Sequence, residues 1–204
     1  MIGNSKKRRR PLMDLIDLIK KLNNEDVLSQ VSQSVGVNPQ QIKKVTQLGL
    51  PTLVEAMNRN AKTEDGARSL ARALEQHQDD EVDDLSKYIR HADAHDGEKI
   101  LRHVFSDKSE RVENKIAKQT GLDLSQVVGI LAQFAPLILG LLGKEKKQRN
   151  LDYTGVADMT SSLTEQLGGE SGSGLMGMVS QFLDTDQDGD IMDDLGDLFG
   201  GLFG

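Results

Sequence analysis

Residues 35–45 read VGVNPQQIKKV, and residues 120–130 read TGLDLSQVVGI. In each stretch a glycine stands where a helix commonly ends in the left-handed conformation. Two residues later comes a side chain of the type that caps helices, Asn38 in the first stretch and Asp123 in the second. Each stretch therefore predicts a helix, a glycine stop and a second, capped helix.

The two stretches belong to a longer self-similarity at a constant offset of 85 residues. Three pairs of identical residues carry it: Gly36 with Gly121, Gln41 with Gln126, and Pro51 with Pro136. Farther along, Glu75-Gln76 matches Glu165-Gln166 at an offset of 90, which indicates about five additional residues in a loop at 143–153. The sequence thus predicts a duplicated unit: a helix, a capped helix, a helix that begins at the proline, a polar loop and a closing helix.

This pattern divides the chain into five predicted parts. They are a basic disordered arm at 1–12, a first helical unit at 13–77, an acidic connector at 78–99, a second helical unit at 100–167, and a Gly-rich linker with an Asp-rich loop and an apolar tail at 168–204. In the connector we expect an exposed helix through Tyr88 and a loop at 92–97.

The composition favours an all-α helical bundle. Hydrophobic residues make up 37% of the 204 residues and aromatic residues only 3%, so the core must be built from aliphatic side chains. Cysteine is absent, which excludes disulfides and thiol chemistry. The sequence has no strand pattern, Gly-rich phosphate loop or serine elbow, and catalysis therefore has no visible candidate.

The charge is distributed unevenly along the chain. Residues 150–204 contain eleven carboxylates and neither Lys nor Arg, so they carry −11, whereas residues 1–149 carry +4. The compact basic run is Lys6-Lys7-Arg8-Arg9-Arg10. We interpret this run as a solvated arm, or as leader residues before a true start at Met13; the alternative is a tether to nucleic acid or acidic lipid.

The most hydrophobic segment, Val127–Leu142, is shorter than the roughly 20 residues that span a bilayer. Gln133 and Pro136 interrupt it, so we expect it to be buried core. No apolar stretch follows the basic run, which argues against a secretory signal. We therefore expect a cytoplasmic protein without a transmembrane segment.

A possible cation site lies near the carboxyl end, where residues 184–191 read DTDQDGDI. Carboxylates at positions 1, 3 and 5 of a tight loop, with Gly189 at position 6, form the pattern of an EF-hand or dockerin-type calcium loop. Position 12 is Leu195 instead of the usual Glu, so Asp194 or a water would complete the shell. The candidate calcium ligands are Asp184, Asp186, Asp188, Asp190 and Asp194.

Three of the four histidines, His91, His95 and His103, lie close together in the sequence. His91 and His95 would share a face of a continuous helix, which makes a zinc site and a metal-dependent enzyme conceivable. Because no H-E-x-x-H pattern or obvious fourth ligand accompanies them, we interpret them as capping or surface residues. We also expect the apolar tail, 198–204, to pack on the protein, on another subunit or on a membrane surface.

The stretch Asp96-Gly97, followed by Ile100-Leu101 and His103-Val104-Phe105, resembles the motif of the YidB-like bacterial family, a domain of unknown function numbered 937. That family usually continues with Gly, where this chain has Ser106. The resemblance extends over about residues 13–204 and implies an all-α bacterial fold without an established activity. We therefore expect a non-catalytic protein that binds calcium for structure or for regulated association.

Overall fold

The computed structural model describes residues 15–168, together with Gly177 and Val179. These residues form nine α-helices and no β-strand, as the all-α prediction requires. The helices are α1 (Leu15–Leu22), α2 (Glu25–Val35), α3 (Pro39–Ala61), α4 (Glu64–His77), α5 (Leu85–Arg90), α6 (Ala94–Phe105), α7 (Ser109–Thr120), α8 (Leu124–Arg149) and α9 (Tyr153–Gly168), with a 3₁₀ turn at Ser106–Lys108.

The two capped turns have nearly the same backbone geometry. Gly36 ends α2 at φ 69° and Gly121 ends α7 at φ 68°, both in the left-handed region that favours glycine. Asn38 accepts a hydrogen bond from the backbone N–H of Gln41 at 3.0 Å. At the second turn Gln126 accepts from the backbone N–H of Asp123 at 3.1 Å. The predicted glycine stops and caps are confirmed, while their origin in a duplication stays a prediction.

The long helices α3 and α8 form the centre of the core, and here the sequence reading was wrong in two places. Pro51 and Pro136 do not begin new helices; each lies inside one continuous helix, because burial on several sides outweighs the single backbone hydrogen bond that a proline removes. The predicted loop at 143–153 is helical as far as Arg149. Its Lys, Glu and Gln residues favour helix, and α8 ends only at Asn150, with φ 53°.

Each closing helix packs on the long helix of the other predicted unit as well as on its neighbours. Helix α4 lies along α8, and α9 lies along α3. Helix α6 makes its most extensive contact with α8. As a result α4 and α6 both rest on α8.

The acidic connector is held against α8 and is less exposed than the sequence suggested. Val82 is buried, Lys144 pairs with Asp83, and Lys147 pairs with Asp79. The predicted loop at 92–97 was wrong, because α6 already begins at Ala94. Asp93 caps this helix by accepting from the backbone N–H of His95 at 2.9 Å.

One close backbone approach fixes α6 on α8. A Cβ atom added to Gly97 would lie 1.8 Å from the carbonyl oxygen of Ala132. That oxygen would normally accept the helical hydrogen bond of residue 136, but Pro136 has no N–H to donate. The glycine Cα–H groups can then meet the carbonyl at a distance that no larger residue permits.

Helix α8 is long and apolar enough, by length and composition alone, to cross a membrane, although 78% of its most hydrophobic window is buried inside the protein. The expectation that Val127–Leu142 forms core agrees with this burial. Within the described residues α8 serves as the central core helix.

We predict that Gly97→Ala lowers the free energy of unfolding by about 3 kcal/mol, because the methyl group forces α6 away from the Ala132 carbonyl. Gly129→Ala on α8 is the matched control. Its Cβ would meet only Val35 Cγ1 at 3.4 Å, so we expect it to gain up to about 1 kcal/mol from helix propensity. Urea unfolding followed by circular dichroism measures both, and a Gly97→Ala variant as stable as the wild type contradicts the packing argument.

Ser106 ends α6 at φ 53° and ψ −128°, a conformation that L-residues rarely adopt and glycine adopts readily. We predict that Ser106→Gly raises the free energy of unfolding by about 1 kcal/mol, because it removes backbone strain. Ser106→Ala keeps the strain and loses only the hydroxyl that bonds the His103 carbonyl at 3.3 Å, so it should not stabilise. Equal unfolding midpoints for the two variants would show that the turn is not strained.

Candidate functional site

A cleft of about 780 Å³ opens between α4 and α6. Its walls come from these two helices, and its floor includes Met57 of α3 and Leu139 of α8. The gap exists because α4 and α6 both pack on α8 and only weakly on each other. Such a volume is typical of sites that bind small molecules.

Two polar contacts join the two walls. Ser69 Oγ and His103 Nε2 lie 3.2 Å apart, and the cleft continues beyond them to Asp65 and Ser106. At the inner end of the cleft, on the side of the connector, His77 Nε2 lies 3.9 Å from Asp96 Oδ2. Since residue numbers rise along α4 and fall along α6 between these contacts, the helices are antiparallel across the cleft.

The middle of each wall carries one cationic side chain beside apolar ones. Arg72 and Ala73 come from α4, and Lys99 and Ile100 come from α6. Arg72 and Lys99 are exposed, and neither forms an ion pair with any of the residues that the structure describes. The carboxylates of Asp65 and Asp96 also line the cleft, but Arg72 and Lys99 pair with neither of them. The cleft therefore combines an apolar surface with two cations that form no ion pair among the described residues.

The outer end of the cleft is shaped by the turn between α3 and α4. Asn60 donates its side-chain N–H to the carbonyl of Val104 at 2.9 Å and so satisfies a group at the end of α6. Arg59 bonds Glu55 through Nε at 2.9 Å. The Asn60 bond attaches the end of α6 to α3 on this side of the cleft, while the Arg59–Glu55 pair lies within α3.

His77 stands between this cleft and a smaller one of about 420 Å³, because it lines both, as Asp96 does. His77 Nδ1 lies 3.0 Å from Asp80 Oδ2, and the hydroxyl of Tyr88 donates to the same oxygen at 2.9 Å. Burial raises the pKa of Tyr88, and the bond to Asp80 raises it further, so this hydroxyl stays protonated and remains a donor. The cluster joins the connector to the inner end of the cleft.

The motif from Asp96 to Phe105 contributes residues to both the core and the cleft. Four of its seven quoted residues are buried: Gly97, Leu101, Val104 and Phe105. The other three, Asp96, Ile100 and His103, line the cleft, and so do the backbone-strained Ser106 that follows and the buried Val104. Packing explains the buried residues and also Ile100, which is partly buried against the core, whereas the polar Asp96 and His103 need another explanation.

The calcium candidates Asp184, Asp186, Asp188, Asp190 and Asp194 lie outside the described residues. The basic run at 6–10 and the apolar tail at 198–204 also lie outside them. The functions suggested for these three segments therefore stay predictions.

The three clustered histidines do not come together as a ligand set. Among the described residues, no group of three or more His, Asp or Glu side chains could hold a metal ion. His91 follows α5 and lines the smaller cleft, His95 lies in the first turn of α6, and His103 bonds Ser69 in the larger cleft. Their use as separate polar residues agrees with the capping and surface interpretation.

The sequence reading missed Ser69, Arg72 and His77, which the structure places along one wall of the cleft. These residues are spaced by three and five positions along an amphipathic helix, and the same pattern is common on helix faces that simply contact solvent. The useful signal was the polar part of the Asp96–Phe105 motif, whose partners across the cleft, His77 and Ser69, lie 19 and 34 residues earlier in the chain.

Comparison with protein families gives one match, to the family described as "Bacterial protein of unknown function (DUF937)", over residues 17–145. Comparison with curated proteins and with solved structures gives no significant match. The matched residues include both walls of the cleft and the whole Asp96–Phe105 motif. Because the match covers more than half of the chain, this protein belongs to the DUF937 family of bacterial proteins of unknown function.

Proposed function

We propose that this protein is a non-catalytic binding protein that holds a small molecule in the cleft between α4 and α6. The observation that carries the proposal is the division of the Asp96–Phe105 motif. Its buried residues build the core, while Asp96, Ile100 and His103 line one cavity with a carboxylate, an apolar side chain and an imidazole. Residues that packing does not require, gathered on a concave surface, are typical of a binding site.

The lining supports recognition of an organic molecule. Leu70, Ile100 and Leu139 offer apolar surface, and Ser69 and Gln76 offer hydrogen-bonding groups on the wall of α4. Both walls are rigid helices anchored on the buried α8, so the site needs little ordering before it binds.

Binding is better supported than catalysis. The Ser69–His103 pair has the atoms of a nucleophile and a base, but among the described residues no carboxylate bonds His103 to orient it. Ser69 also lies inside α4, where the backbone N–H groups are used by the helix and cannot stabilise an oxyanion. The pair therefore serves as a polar contact that joins the two walls.

The neutral dye N-phenyl-1-naphthylamine, which fluoresces in apolar cavities, tests the proposal. We predict that it binds the wild-type protein and that Ala73→Trp, which fills the middle of the cleft, weakens its binding at least about tenfold. Gln40→Trp, on the exposed first turn of α3, is the matched control and should leave the dye affinity unchanged.

Thermal unfolding of both variants establishes that they are folded. If the dye binds equally well to the wild type and to a folded Ala73→Trp variant, the cleft is not the binding site and the proposal fails.

A second proposal concerns the acidic carboxyl-terminal region and rests on its sequence spacing alone. We propose that residues 184–195 bind calcium through Asp184, Asp186 and Asp188, with Asp190 and Asp194 completing the shell. Carboxylates in this arrangement repel one another, and a divalent cation would relieve the repulsion.

Isothermal titration calorimetry of the full chain tests the calcium proposal. We expect calcium to give a saturable heat of binding that the triple variant Asp184→Ala/Asp186→Ala/Asp188→Ala loses. The control Asp152→Ala, which removes a carboxylate outside the loop, should keep this heat. Identical heats for the wild type and the triple variant would end this proposal.

A further inference from the structure

We infer that the cleft selects an organic anion: a molecule with an apolar body and one compact oxyanion group that Arg72 and Lys99 bind from opposite walls. This inference rests on the proposed function of the cleft as a small-molecule site. It adds the chemical class of the ligand, which the shape of the cleft alone does not determine.

The contact between Ser69 and His103 shows how far along the cleft each of the two cations lies. Arg72 lies three residues beyond Ser69, or about 4.5 Å along α4 at a rise of about 1.5 Å per residue. Lys99 lies four residues before His103, or about 6 Å along α6. Because Ser69 and His103 are in contact, Arg72 and Lys99 stand at nearly the same level on facing walls.

The acidic residues closest to these cations along their own helices are engaged elsewhere. Glu75, one turn after Arg72, pairs with Lys146 of α8 at 2.8 Å. Asp96, one turn before Lys99, lies 3.9 Å from His77 Nε2 at the inner end of the cleft. Asp65, which also lines the cleft, lies about two turns from Arg72 toward the outer end.

Two neighbouring cations that do not line the cleft each pair with an acidic residue of their own helix. Arg68 of α4 bonds Glu64 at 2.6 Å, and Arg102 of α6 approaches Glu98 at 3.4 Å. Two like charges that face one another without a counter-ion raise the energy of the empty site, and a bound anion removes that repulsion.

The surroundings suit an anion with an apolar body. A guanidinium and an ammonium group donate charge-assisted hydrogen bonds to a carboxylate, sulfonate or phosphate. Ile100 is the next residue after Lys99 on its wall, and Leu139 lies on the floor, so the rest of the ligand meets hydrocarbon. Inorganic ions would satisfy the cations and leave this apolar surface unused.

Two dyes with the same ring system separate charge from shape: the neutral N-phenyl-1-naphthylamine and the anionic 8-anilinonaphthalene-1-sulfonate. We expect the wild type to bind the sulfonate more tightly, and the double variant Arg72→Gln/Lys99→Gln to lose about tenfold or more in sulfonate affinity while its affinity for the neutral dye stays within about twofold. The controls Arg68→Gln and Arg102→Gln remove one cation from each helix outside the cleft and should change neither affinity.

Equal affinity of the wild type for the two dyes, or an equal loss of both in the double variant, would overturn the anion inference. In either case binding of the neutral dye that Ala73→Trp still blocks would leave the proposed function standing. If Ala73→Trp blocks neither dye, the proposed function fails first and the inference fails with it.

Discussion

The contact between Gly97 and the Ala132 carbonyl determines where α6 lies, and much of the described structure depends on it. Pro136 leaves that carbonyl without its helical donor, and only a residue without Cβ can come close enough to cover it. The approach brings α6 down on α8, so that Leu101 and Phe105 reach the core. It also turns the adjoining side of α6, with Asp96, Ile100 and His103, toward α4. One backbone contact thus fixes both the packing and the position of the cleft wall.

The cleft follows from the way the long helices share their partners. Helix α4 packs on α8, α9 packs on α3, and α6 packs on α8 beside α4. Two cylinders resting on a third leave a groove between them, and the Ser69–His103 and His77–Asp96 contacts cross it. Lys144, Lys146 and Lys147 neutralise acidic residues around the connector, whereas Arg72 and Lys99 are left within the groove. The positive character of the groove is therefore local, in a chain whose net charge is −7.

The sequence predicted the helical class, the glycine stops and the caps, because these depend on local backbone chemistry that a few residues express. It failed at Pro51 and Pro136, where the tertiary burial of α3 and α8 outweighs a local helix-breaking signal. It also failed at residues 143–149, where a polar sequence forms helix while contacting the connector. The cleft could not be predicted, since Arg72 and Lys99 each look like residues of a solvated helix face. Only the packing of α4 and α6 on α8 brings residues so distant in the chain to the same level.

Ser106 marks a place where the backbone beside the cleft departs from local conformational preference. A position that demands φ 53° and ψ −128° is filled here by serine, at the point where α6 ends and the cleft opens. Gly36 and Gly121, at turns away from the cleft walls, also have positive φ angles, which glycine adopts without strain. At Ser106 the positive φ angle conflicts with the preference of an L-residue. Folded proteins tolerate such conflicts mainly where surrounding contacts over-determine the backbone, often beside a functional site. Beside Ser106 the Asn60 bond to the Val104 carbonyl holds the end of α6 on α3, and it also fixes this part of the cleft wall.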